Sequence, residues 1–185
     1  KADDDTLADQ MLDDVEVAVR EKAGMFIYGS HKDEIETVLH DLLVENNARI
    51  AVLEAGIHDA VIKALMSANH EDILAYRYHA NHPDDVLSDF PNSKDMTFRE
   101  RAHYIAERIT KDHNTEAGIA ILSLPDVNEN QDTDIATVVA VYVGDTLKSR
   151  VYGFGAQNDL TAKWVSRWAM AYVWRQLKEQ ISNAQ

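Results

Sequence analysis

Ile50-Ala51-Val52-Leu53-Glu54-Ala55-Gly56-Ile57-His58-Asp59-Ala60-Val61 changes its periodicity halfway along. Ile50 to Leu53 form a short, unbroken apolar run, the pattern of a strand covered on both faces. Beyond Glu54-Ala55-Gly56 the apolar positions fall at Ala60, Val61, Ala64 and Leu65, the spacing of one helix face. The segment therefore reads as a strand, a tight turn and a helix in immediate succession.

Upstream, Leu7, Met11, Leu12, Val15, Ala18 and Val19 stand at helical spacing within residues 6 to 22, with Asp3 to Asp5 at the positive end of the helix dipole and Gly24 as a stop. Met25 to Tyr28 read as a short strand. Ser30 and Asp33 resemble a capping box and predict a second helix that buries Ile35, Val38, Leu39, Leu42 and Leu43 and ends near Asn46 and Asn47. Downstream, Ile73 to Tyr78 form another strand. A polar loop from His79 to Asp95 follows, with two of the three prolines, and its length points to a functional or partner-facing role. Thr97 and Glu100 form a further capping box, ahead of a helix that buries Phe98, Ala102, Ile105, Ala106 and Ile109. Three strands come next: Ala117 to Leu124, Ile135 to Val143 and Leu147 to Phe154. The closing helix, Asp159 to Ile181, carries Leu160, Trp164, Trp168, Tyr172, Leu177 and Ile181 on one broad face, and its tryptophans, Trp174 included, read as core or subunit contact. Strands separated by helices predict an α/β fold, a three-layer α/β/α sandwich with a mixed sheet.

A chain of 185 residues with 45% hydrophobic content has material for one substantial core and a small appendage. No apolar run approaches the roughly 18 residues that span a bilayer, and the N-terminus lacks the features of a signal peptide. Without cysteine there are no disulfides, thiolate nucleophiles or Cys-ligated zinc. The expectation is a soluble protein of the bacterial cytoplasm. The 32 acidic against 18 basic side chains leave a net charge of -14, which opposes a phosphate backbone or an anionic membrane as partner. The absence of an initiator Met predicts that Lys1 lies inside a longer protein, with further domains upstream.

The order of elements, and residues within them, resembles the CinA C-terminal domain, the nicotinamide mononucleotide deamidase family of bacteria. Where that family's strand runs through Glu-Ser-Cys-Thr-Gly-Gly into a helix, this chain has Glu54-Ala55-Gly56-Ile57-His58-Asp59. The family's Val-Thr-Tyr-Ser-Asn-Glu-Ala-Lys segment resembles Leu74-Ala75-Tyr76-Arg77-Tyr78-His79-Ala80-Asn81. Its Thr-Gly-Ile-Ala-Gly-Pro turn is similar to Ser123-Leu124-Pro125, its Gly-Thr-Val strand to Ala136-Thr137-Val138, and its late phenylalanine and arginine to Phe154 and Asn158. Residues 1–30 resemble the end of the KH-like segment that precedes the domain in full-length CinA proteins, which leaves 31–185 as the CinA C-terminal-like domain.

The resemblance implies a serine nucleophile at position 55, which here is alanine and has no lone pair with which to attack a carboxamide. Gly56 and Ile57 take the places of the motif's cysteine and threonine. Its paired glycines are His58-Asp59, and a carboxylate there repels a nucleotide phosphate. The family's lysine corresponds to Asn81 and its arginine to Asn158; asparagine can neither carry a proton nor clamp a phosphate. The glycine-rich turn gives way to the acidic Pro125 to Asp132. Glu54, Tyr76, Ser123 and Thr137 remain as polar residues of a vestigial pocket. The resulting reading is a catalytically inactive relative, a pseudoenzyme without cofactor. It serves as a ligand-binding module for a nucleotide-like small molecule or as an oligomerisation module in a homo-oligomer. The alternative is a deamidase in which Tyr76, Ser123 or Thr137 has taken an altered role; a third reading is a dimerising domain of a longer protein.

Other signals are weaker. His79 and His82, followed by Asp84 and Asp85, have ligand spacing, yet Pro83 opposes a helix there and no third ligand is fixed, so no metal is expected. Gly153-Phe154-Gly155 reads as a strand-exit turn, since the third glycine of a dinucleotide fingerprint is missing.

Overall fold

Three of the apolar runs, buried along their whole length, form the centre of one sheet: β1 (Ile50–Ala55), β3 (Ala117–Ser123) and β4 (Thr137–Val143). β2 (Leu74–Ala80) and β5 (Thr146–Tyr152), whose residues alternate towards solvent, form its edges, in the order β2-β1-β3-β4-β5. β1 pairs in parallel with both β2 and β3, while β4 runs antiparallel to β3 and β5. The sheet is mixed, as the sequence predicts. The computed structural model describes residues 5–29, 33–124, 135–156 and 158–183.

Helices cover both faces. On one lie α2 (Ile35–Glu45), α3 (Ala60–Ser67) and α5 (Asp159–Asn183), closing a core that includes Leu39, Leu43, Val61, Leu65, Val165 and Val173. On the other, α4 (Phe98–Asp112) and the 3-10 turns Asp85–Ser88 and Pro91–Ser93 close a second core around Leu53, Val86, Phe90, Ile105 and Leu122. The Thr97/Glu100 capping box forms as expected: Thr97 N–H donates to Glu100 Oε2 (2.9 Å) and Glu100 N–H to Thr97 Oγ1 (3.3 Å). α4 lies so close over β3 that a methyl at Gly118 would approach the Ala106 carbonyl oxygen to 2.5 Å. α1 (Asp5–Ala23) stands apart, and its main contact is the 3-10 turn Gly24–Phe26.

Several expectations are corrected. Met25 to Tyr28 do not form a strand; a 3-10 turn takes Gly24–Phe26, and the aromatics engage α5 instead of a sheet edge. Tyr28 meets Trp174 edge-on at 6.4 Å, and the Arg175 guanidinium lies 5.1 Å over Phe26. α2 starts at Ile35, and the expected cap Ser30 and the domain boundary at 30 fall outside the described residues. His79 belongs to β2, because pairing with β1 continues to Ala55 opposite Ala80. The expected loop is largely folded, tied down by Arg101 Nη1 to Asp84 Oδ1 at 2.9 Å. β4 begins at Thr137 and β5 ends at Tyr152, each two residues inside the expected bounds. On α5, Leu160 and Trp164 are 62% and 60% exposed, and the buried face runs through Ala162, Val165, Ala169, Met170, Val173 and Leu177. Close approach to the sheet and to α3 selects the small Ala162, Val165 and Ala169 on this face, while Met170 and, as expected, Tyr172 and Trp174 are buried further along the helix.

Gly118→Ala is expected to lower the unfolding free energy by about 2 kcal/mol, since neither the Ala106 carbonyl nor the sheet can retreat cheaply. Trp164→Ala, for all its lost area, should stay within about 0.5 kcal/mol of the parent. Urea unfolding of both variants checks the pair.

Candidate functional site

β1 is followed in the chain by its neighbour β2 on one side and β3 by its neighbour β4 on the other, so the strand order reverses between β1 and β3. Such a reversal is where open α/β sheets place their crevices. The turn that leaves β1 there is unusually constrained. Gly56 takes φ +71° and donates its N–H to the Ala80 carbonyl (3.0 Å), and a Cβ at this position would fall on the Ser123 carbonyl oxygen. Asp59, at φ +42°, then starts α3.

This turn brings the first amides of α3 back over the end of β1, where Glu54 meets them. Glu54 Oε1 accepts from Val61 N–H at 2.9 Å and Oε2 from Ile62 N–H at 3.0 Å, and the residue is 0% exposed. The helix N-terminus, which could hold a phosphate or a developing oxyanion, is filled from within by a carboxylate. Burial drives the Glu54 pKa up to about 7 against the pull of those two N–H donors, and the nearby Asp59 charge adds to the rise. Next to it, the Ala55 methyl is fully buried among Leu53, Leu122 and their neighbours.

Ser123 and Thr137 face each other across β3 and β4, both fully buried. Their hydroxyls are 2.8 Å apart; Ala156 N–H donates to Ser123 Oγ at 2.8 Å and Thr137 Oγ1 donates to the Phe154 carbonyl at 2.6 Å. A carbonyl only accepts, so Thr137 spends its proton on Phe154 and must accept from Ser123. The relay Ala156 N–H to Ser123 to Thr137 to Phe154 O therefore has one direction. It fastens the turn after β5 to the sheet and leaves neither hydroxyl a proton to donate elsewhere.

Around the outer rim, Gly56, Ile57, His58, His79 and Asn81 line a recess of about 170 Å³. His79 Nε2 lies 3.0 Å from the Ile57 carbonyl oxygen and 3.1 Å from Asp59 Oδ1; both are acceptors, so this nitrogen carries the proton. Glu54, Ala55, Gly56, Ile57, Asn81, Ser123 and Thr137 thus gather at one end of the sheet. Tyr76 does not. It sits opposite Ala51, four residues before the Ala80 partner of Ala55 in β2, and stacks on His113 at 4.1 Å. Asn158 caps α5, its Oδ1 accepting from Thr161 N–H at 2.9 Å. His82 Nδ1 accepts from Asp84 N–H at 3.1 Å, and among the described residues no three His, Cys, Asp or Glu side chains assemble to hold a metal. The acidic segment 125–132 lies outside the described residues.

Sequence reasoning missed a second concavity, a groove of about 260 Å³ between α3 and α5 where Lys63, Lys163, Arg167 and His58 face Glu36 and Asp159. The helical spacing of Lys163 and Arg167 was its one available signal.

Solved structures share this architecture. The competence or damage-inducible protein of Enterobacter asburiae superposes with a TM-score of 0.63 at 13% identity, over 78% of this chain and 96% of that one. A competence-damaged protein (CinA) superfamily protein of Klebsiella pneumoniae gives 0.64 at 13% identity, over 81% and 99%. The competence/damage inducible protein of Agrobacterium tumefaciens gives 0.56 at 12% identity, over 85% and 100%. No protein-family model and no curated protein matches the sequence. The chain has a CinA-like fold.

The buried acid makes a thermodynamic prediction. With the folded pKa about 7 and an ordinary value of 4.5, the folded state holds a proton that the unfolded chain has released anywhere between them. Stability contributed by Glu54 should therefore fall as pH rises through that window, by about 3 kcal/mol in all, and level off above it. Urea unfolding at a series of pH values should show the Glu54 slope in the parent and lose it in Glu54→Gln; equal slopes would place the titration elsewhere.

Proposed function

We propose that this chain is a CinA-type domain that no longer hydrolyses an amide and acts as a binding or assembly module. The observation that carries the proposal is the β1–α3 junction, where a buried methyl at Ala55 stands in the place at which the resemblance to the nicotinamide mononucleotide deamidases requires a hydroxyl. Attack on a carboxamide needs a nucleophile with a base to receive its proton, and stabilisation of the resulting oxyanion needs free donors. At this junction Ala55 supplies no nucleophile, and the Val61 and Ile62 amides are already taken by Glu54. The hydroxyls nearest to it, on Ser123 and Thr137, are committed to each other and to the Phe154–Ala156 turn.

The size of the recess supports assembly over retention of a nucleotide. At about 170 Å³ it falls below the roughly 300 Å³ at which small-molecule pockets begin. Asn81 on its wall supplies no positive charge, and Asp59 beside it supplies a negative one.

Incubation of the purified chain with nicotinamide mononucleotide should release ammonia no faster than buffer alone. Ala55→Ser alone should not restore release, because Asn81 and Asn158 still stand where the resemblance places a lysine and an arginine. Ammonia production that disappears on Ser123→Ala would establish the deamidase reading instead.

A further inference from the structure

We propose that α1 is the dimerisation element of this chain and that it pairs antiparallel with α1 of a second copy across a two-fold axis near Val15. The inference deepens the assembly half of the reading above and rests on that half alone. Every side chain from Gln10 to Lys22 is exposed, among them Met11 (52%), Leu12 (66%), Val15 (59%) and Val19 (46%). A single helix of this length gains little from its own hydrogen bonds and needs an apolar face covered. The body of the molecule does not cover it, since the contacts of α1 are mainly with the turn Gly24–Phe26.

The pattern of the exposed residues indicates what does. Met11, Leu12, Val15, Ala18 and Val19 fall on one stripe, and they are symmetric in sequence: Met11 and Val19 stand four residues either side of Val15, Leu12 and Ala18 three. A stripe with this symmetry meets its own reversed copy apolar residue on apolar residue, the self-complementarity that a two-fold interface requires. Charge fixes the direction. In sequence, Asp3, Asp4, Asp5, Asp9, Asp13, Asp14 and Glu16 precede the only two cations after Lys1 in this segment, Arg20 and Lys22. A parallel pair would set acid against acid along its first half. An antiparallel pair carries the acidic half of one helix past Arg20 and Lys22 of the other.

The base of α1 extends the match. Between Gly24 and the end of α5 lies an open cleft of about 610 Å³, lined by Arg175, Lys178, Glu179, Ser182 and Asn183. Arg175 and Lys178 are held there by aromatic rings, Arg175 4.8 Å over Tyr172 and Lys178 4.8 Å over Trp174. These cations lie at the basic end of α1, beside the path of the incoming acidic end. In a chain of net charge -14, basic groups gathered at that end give an acidic helix a destination.

Sedimentation velocity of the full chain should show a dimer in the micromolar range, at twice the 20.8 kDa chain mass. Leu12→Asp with Val15→Asp should weaken it about tenfold or more, with thermal unfolding of the α/β body unchanged. The sequence has no cysteine, so crosslinks report orientation directly. Val15→Cys should oxidise to a covalent dimer on its own, whereas Met11→Cys should do so only when mixed with Val19→Cys. A monomer at all concentrations, a dimer indifferent to the paired aspartates, or self-crosslinking of Met11→Cys would each overturn the proposal. None of these outcomes bears on ammonia release, so catalytic silence and dimerisation stand or fall separately.

Discussion

The carboxylate of Glu54 beneath the first turn of α3 is the interaction on which the rest of this end of the molecule depends. A buried acid would ordinarily be a liability, because removing charge from water costs more than a pair of hydrogen bonds returns. Here the cost is moderated by two N–H donors, from Val61 and Ile62, and by protonation near neutrality. For those donors to reach it, the chain must reverse within a few residues of leaving β1. That reversal demands the positive φ of Gly56 and Asp59 and brings the turn against the Ser123 carbonyl, where a side chain at Gly56 would not fit. Glu54, Gly56, Asp59 and the end of β3 are therefore one mechanical unit.

A reactive cleft needs polar atoms held in place but left unpaired, waiting for substrate. In this chain those atoms have been paired. The Val61 and Ile62 amides go to Glu54, the Ser123 and Thr137 hydroxyls to each other and the turn after β5, and the His79 proton to the Ile57 carbonyl. Each pairing stabilises the scaffold. The CinA-like fold is shared with structures of 12% to 13% identity because burial and periodicity specify the sheet and its helices.

What was legible in the sequence was what depends on near neighbours. The Ile50-to-Leu53 run, the switch to helical spacing at Ala60 and the Thr97/Glu100 box are all decided within a few residues, and the structure forms them. The misses have longer-range causes. Tyr76 looked like a pocket residue from its motif, but the register of β2 on β1 sets it opposite Ala51 and away from Ala55. Leu160 and Trp164 looked buried because they are large, yet the spacing between α5, α3 and the sheet admits Ala162 and Val165. Met25 to Tyr28 had strand character, but Tyr28 meets Trp174 and Phe26 meets Arg175 of α5, a contact set by distant sequence. The position of Glu54 was legible; its task was not, since a residue seven places away supplies its first donor only after the turn has folded.

The two parts of the molecule differ in kind, and the difference says where interaction free energy remains available. In the α/β body, both faces of the sheet are covered and Glu54, Ser123 and Thr137 at the crevice are hydrogen-bonded, so a ligand that engaged them would have to displace bonds already made. On α1 the reverse holds: its backbone is satisfied by the helix, and its apolar side chains lie in water. Covering them costs no existing contact. An encounter with another surface therefore gains most at α1, by the burial of apolar area. The exposed apolar stripe of α1 is thus the surface whose burial the fold leaves open, while Glu54, Ser123 and Thr137 are held by bonds within the body.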